Sequence, residues 1–104
     1  VDAVASFHGS LPTPAQAAPV DIKPRILVAH GNADPFVPAE KVNAFRQALE
    51  AAAADWTMIE FGGVKHSFTN PSAGDYGIEA LAYDQQADRQ SWQMLLWMLQ
   101  DTFR

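Results

Sequence analysis

Cysteine is absent from the 104 residues. That excludes disulfides, thiolate metal sites and a thiol nucleophile within the chain. It leaves the compartment open; the cytoplasm is favoured but not fixed. Basic residues are few: seven Lys and Arg against twelve Asp and Glu, a net charge of −5, with no basic patch. A chain so charged is not expected to bind nucleic acid through phosphate contacts. Long apolar runs are missing too. The longest, Met94 to Leu99, falls far short of the ~20 residues that span a bilayer, so no membrane partner is expected. The three histidines, His8, His30 and His66, show no helical or short ligand spacing, so no metal is expected. No internal repeat is present, and the only biased tract is Ala51 to Ala54.

The length suits one domain, which buries roughly 65% of its unfolded surface. Val1 to Phe7 enters a strand directly, so the chain reads as the later segment of a larger domain. Residues 12 to 24 carry Pro12, Pro14, Pro19 and Pro24. Proline fixes φ and removes donors, so this segment is expected to be a loop, long enough to be lid-like. Residues 25 to 30 read as a strand, and its unbroken apolar run Ile26 to Ala29 is the pattern of a strand buried on both faces. Pro38 and Glu40 suit a helix start. Val42, Phe45, Leu49 and Ala52 then recur at spacings of three and four, which predicts an amphipathic helix over 38–53. A strand over 56–61 follows and ends in Gly62-Gly63. Residues 62–78 read as loop. A long helix is expected from Glu79 to Phe103, with Leu81, Trp92, Leu95, Leu96, Leu99 and Phe103 on its apolar face and Asp88 as the polar exception. Trp92, Trp97 and Phe103 are read as core residues.

Strand–helix–strand order implies parallel strands with a right-handed crossover. The fold class is therefore α/β: three parallel strands and two main helices, with a sheet that looks incomplete. Parallel strands bring their following loops to one carboxyl edge, where open α/β sheets bind ligands. Two loops matter there. HGNADPFVP (30–38) carries Asp34, and FGGVKHSFTNP (61–71) carries His66. Taken singly, Asp34 is a turn acid and His66 a solvated loop residue. Taken together, an acid and then a histidine on successive strand-end loops match the last two members of a nucleophile–acid–histidine triad. Phe36 and Phe68 flank them and either line an apolar substrate pocket or simply pack. His8 and His30 end strands before glycine and are read as structural, bonded to nearby backbone. Lys65 reads as a solvated lysine.

Those two loops, with FHGSLP (7–12) and the Tyr83-containing helix sequence ALAYDQQADRQSWQMLLWML (80–99), carry a resemblance. HGNADPFVP resembles the acid loop of α/β-hydrolases. KHSFTNP with that later segment is similar to the end of dienelactone hydrolase-like proteins, and FHGSLP resembles the strand after their nucleophile helix. The resemblance covers nearly the whole chain. It implies an enzyme that hydrolyses a carboxylic ester or lactone through a covalent acyl intermediate, with Asp34 as triad acid, His66 as base and no cofactor. The family's G-x-[CS]-x-G elbow has no counterpart here. Ser10 lacks the second glycine, and Ser6, Ser67, Ser72 and Ser91 lack the context. The resemblance thus places the nucleophile upstream of Val1, makes 1–104 the carboxyl-terminal segment of one α/β-hydrolase domain, and makes this chain inactive alone. A serine carboxylesterase or peptidase of the same fold, and a non-catalytic α/β module, are the competing readings. The small-molecule ester or lactone is the expected partner, with self-association through the open sheet edge as a second contact.

Overall fold

The computed structural model describes residues 1–11 and 22–103. Most of the proline-rich loop lies outside these residues. Strand β1 is Ala3–Phe7, β2 is Arg25–Gly31, helix α1 is Ala39–Ala51, β3 is Asp55–Phe61 and helix α2 is Gln85–Thr102. The three strands form one parallel sheet in the order β1-β2-β3. Val28 pairs with Ser6 on one side and Met58 on the other.

The unbroken apolar run of β2 is explained by its central place. Leu27, Val28 and Ala29 are each about 1% exposed. Successive strand residues point to opposite faces. Val28 accordingly packs with Leu11, Val37 and Val42, joined by Ile26, Phe45 and Met58, beneath α1. Ala29 packs with Val64, Phe68 and Ala87, joined by Phe7 and Phe61, beneath α2. The sheet is thus covered by one helix on each face, as parallel strands require.

Helix α1 starts where proline allows it. Pro38 is the N-cap, with extended backbone, and Glu40 lies in the first turn, near the positive end of the helix dipole. Helix α2 departs from the sequence expectation in two ways. It begins at Gln85, not Glu79, because Asp84 caps it: the side chain accepts from the Ala87 N–H at 2.9 Å. The Asp84 N–H itself donates to the Phe68 carbonyl, which is tertiary, not helical, bonding. The buried face also differs. Ala87, Ser91 and Met98 are the buried residues of α2, whereas Trp92, Trp97, Leu99 and Phe103 are exposed. Small side chains bring the helix close to the sheet, and the large ones are turned aside. The Arg25 guanidinium stands 5.3 Å from the ring centre of the exposed Trp97 while also pairing with Asp55 and Asp101.

Among the described residues the sheet has three strands, so β1 and β3 are both edges. No helix among them is long and apolar enough to cross a membrane.

Candidate active site

The acid loop grows out of β2. Gly31 ends the strand, its carbonyl accepts the Asp34 N–H at 3.1 Å, and the Asp34 carbonyl accepts the Val37 N–H at 3.3 Å. The loop also closes on its own carboxylate: Asp34 Oδ1 accepts the Phe36 N–H at 2.9 Å. This is the turn role that Asp serves when taken singly, and it occupies only one oxygen. The other, Oδ2, stands 2.7 Å from His66 Nδ1. Asp34 is 2% exposed. A buried carboxylate is costly without partners, and here both of its oxygens are bonded.

The histidine loop is positioned by two sets of backbone bonds. At its start, Gly63 at φ 73° makes the reverse turn, which ends with the Val64 N–H on the Phe61 carbonyl. Val64 then accepts the Ala33 N–H at 2.9 Å, and Phe61 accepts the Asn32 N–H at 2.9 Å. The acid and histidine loops are therefore laced to each other. Gly31 is what allows the approach: a Cβ there would lie 2.4 Å from the Val64 carbonyl oxygen and 2.8 Å from that of Lys65. Further along, His66 forms an isolated parallel bridge with Leu81. Its N–H donates to Ala80 and its carbonyl accepts from Ala82. The residues that the sequence pattern assigns to the first turn of a helix are thus spent on fixing His66. Nothing in their side chains signals this, because the bonds are made by backbone groups. Lys65, read as solvated, donates Nζ to the Glu79 carbonyl at 2.8 Å and ties the same two segments.

His66 has 27% of its side chain exposed. Its Nδ1–H points at Asp34, which leaves Nε2 as the lone-pair nitrogen. The two expected aromatic flanks separate. Phe36 is exposed and meets the His66 ring nearly perpendicularly, with centres 5.2 Å apart. Phe68 is fully buried in the core beneath α2, so the substrate-lining role considered for it gives way to packing. Burial of such a ring is worth roughly 1.5–3 kcal/mol.

His30 departs from the simple reading, and His8 adds to it. His8 does not bond neighbouring backbone through Nε2. That atom stands 2.9 Å from Thr69 Oγ1, and the ring centre is 5.4 Å from that of His66. Burial lowers the His8 pKa, the nearby His66 adds to this, and its own backbone carbonyl and Asp34 oppose it. Its proximity to His66 was not legible from the sequence; the only local signal was the His-Gly strand end shared with His30. His30 is 2% exposed and its Nδ1 has no hydrogen-bond partner among the described residues. Burial lowers its pKa too, against the pull of Glu60 and Asp34. Among the described residues no group of three or more His, Asp or Glu side chains is arranged to hold a metal.

A parallel sheet with a buried acid and a histidine joined at its carboxyl edge is the arrangement of α/β-hydrolases. The dienelactone hydrolase family model matches residues 1–103, and the chain belongs to that family. An uncharacterised protein of Caenorhabditis elegans is 35% identical over 105 residues, covering 99% of this chain and 66% of its own length. The solved structure of P91, a dienelactone hydrolase-like promiscuous phosphotriesterase from metagenomic libraries, superposes with a TM-score of 0.94 at 34% identity, covering 99% of this chain and 43% of that one. A structure named m3DLH gives 0.92 at 30% identity with the same coverage. The 104 residues thus span less than two thirds of these relatives.

Proposed function

We propose that these residues supply the acid and the base of a hydrolase that cleaves carboxylic esters or lactones, with the nucleophile contributed from outside residues 1–104 by the same α/β-hydrolase domain. The observation that carries this reading is the 2.7 Å contact between His66 Nδ1 and the buried Asp34 Oδ2. Asp34 fixes the tautomer in which Nε2 accepts a proton, and it stabilises the imidazolium once formed. In the acylation step His66 Nε2 takes the proton of the nucleophile as the nucleophile bonds to the carbonyl carbon. The tetrahedral adduct collapses, the C–O bond to the leaving group breaks, and the imidazolium proton passes to that oxygen. For a lactone, the leaving oxygen stays tethered to the acyl group. Water then adds to the acyl carbon, giving its proton to Nε2, and the proton returns to the departing nucleophile. Phe36, exposed beside His66, offers an apolar surface for the substrate. No step calls for a cofactor.

The similarity to P91, a promiscuous phosphotriesterase, favours a second substrate class. The same base would activate attack on the phosphorus of a neutral phosphotriester, with an aryloxide or alkoxide leaving.

The test is hydrolysis of 4-nitrophenyl acetate, an enol lactone and a 4-nitrophenyl phosphotriester by the full-length protein and its His66→Ala variant. Loss of turnover in the variant supports the reading. Equal turnover of all three substrates by the two proteins sinks it.

A further inference from the structure

We propose that His8 is a positioning residue for His66. Its ring, together with that of Phe36, holds the plane of the His66 imidazole so that the Asp34 hydrogen bond keeps its alignment, and Thr69 holds His8 in place. The inference rests on the reading of His66 as a base, and goes beyond it by giving a function to a residue from a different strand.

The geometry has three parts. His66 meets two rings, Phe36 at 5.2 Å and 86° and His8 at 5.4 Å and 72°. Asp34 alone bonds one nitrogen and leaves the imidazole free to swing about that bond; two near-perpendicular rings remove that freedom, since aromatic pairs at this separation attract in this orientation. Second, His8 is itself fixed by the loop it supports. Thr69 Oγ1 lies 2.9 Å from His8 Nε2, and the Phe68 ring centre is 5.3 Å from that of His8 at 81°. Residues 66, 68 and 69 therefore all close on one side chain. Third, His8 adopts φ 45°, a left-handed backbone that non-glycine residues avoid. Strain of this kind persists where the surroundings over-determine a conformation, and it clusters at functional sites. The strained backbone is tied down by the His8 N–H on the Ala29 carbonyl at 2.9 Å.

Chemistry supports a neutral His8. Nε2, 2.9 Å from Thr69 Oγ1, can accept that hydroxyl's proton when the ring is neutral, and the ring also bonds the His8 backbone carbonyl. Burial and the adjacent His66 both lower its pKa, outweighing the opposite pull of that carbonyl and of Asp34. A neutral ring does not compete with the imidazolium that His66 must become.

The experiment uses the full-length protein and three variants: His8→Phe, which keeps a ring; His8→Gln, which keeps polarity and bulk without one; and Thr69→Val. Two readouts are taken. The first is the low-field proton resonance of the His66 Nδ1–H, which is read without substrate and so survives any failure of the esterase reading. It is expected to be sharp in the wild type and His8→Phe, and broadened by exchange in His8→Gln. The second is steady-state kinetics on 4-nitrophenyl acetate. His8→Gln is expected to lower kcat about tenfold or more with KM within about twofold, His8→Phe to restore kcat to within about threefold of wild type, and Thr69→Val to fall between, as loss of alignment predicts. An unchanged resonance in His8→Gln, or equal defects in His8→Gln and His8→Phe, overturns the proposal. If His66→Ala is as active as wild type while the resonance behaves as expected, the function of His66 falls and the positioning by His8 stands.

Discussion

Asp34 divides its carboxylate between two tasks: Oδ1 accepts the Phe36 N–H at 2.9 Å and Oδ2 faces His66 Nδ1 at 2.7 Å. The turn acid and the acid of the acid–histidine pair are the same side chain, and the turn is what aims it. Asp34→Asn separates the tasks. The amide oxygen can still accept from Phe36, so the fold is expected to persist. The amide NH₂ then faces Nδ1 and forces the tautomer that carries its proton on Nε2. In the full-length protein kcat is expected to drop by about 10³–10⁴, with the thermal midpoint little changed. A variant with wild-type kcat would refute the pairing of roles.

The 104-residue chain on its own is expected to hydrolyse 4-nitrophenyl acetate no faster than its His66→Ala form. A base without a nucleophile gives only weak general-base hydrolysis. A stoichiometric burst of nitrophenol from the isolated chain would place the nucleophile within it, and Ser10 and Ser67 would be the residues to replace first.

Gly31→Ala is expected to be destabilising by about 1–3 kcal/mol. The new Cβ meets the Val64 and Lys65 carbonyl oxygens at 2.4 and 2.8 Å, backbone that cannot swing aside. The neighbouring His66 must move with them, so activity of the full-length protein is expected to fall further than stability alone accounts for. Urea unfolding with kinetics in parallel checks both, and an alanine variant as stable as wild type would show that the two loops are not closely laced.

His30 makes stability depend on pH. Its folded-state pKa lies below the ordinary 6.5 because burial outweighs the pull of Glu60 and Asp34. The unfolded chain therefore binds the proton first. Stability from this residue is complete above the unfolded value and is lost as pH falls below about 6.5 toward the folded value. His8, also lowered by burial and by His66, adds in the same direction. Urea midpoints measured across this window are expected to fall with pH, and less steeply in His30→Gln. An identical slope in the variant would contradict the assignment.

Two open sheet edges bear on association. Among the described residues the outer sides of β1 and β3 have no strand partner, and Trp92 on α2 is 54% exposed. Unpaired strand edges recruit other strands. At roughly 25 cal/mol per Å², a few hundred Å² of wet apolar surface is comparable to a small domain's stability. The 104-residue chain is expected to self-associate at micromolar concentration in sedimentation equilibrium. A sharply melting, strictly monomeric species would overturn this.

The sequence by itself determined the elements whose signals are local. The apolar run of β2, the prolines around α1 and the Gly62-Gly63 stop each act within a few residues, and α1 at Ala39–Ala51 and β3 at Asp55–Phe61 lie close to the ranges read from periodicity. Parallel topology then brought the loops of Asp34 and His66 to one edge without any knowledge of side-chain contacts. Tertiary structure decided the rest. The start of α2 moved to Gln85 because residues 80 to 82 give their backbone groups to His66, and a backbone bond leaves no trace in side-chain pattern. The face of α2 was set by how closely it approaches the sheet, which favoured Ala87 and Ser91 over the tryptophans that a hydrophobicity count selects. His8 and Thr69, 61 residues apart, met because the end of β1 and the loop after β3 both close on the edge of β2. A contact of that span is specified by the folded sheet, and no window of sequence contains it.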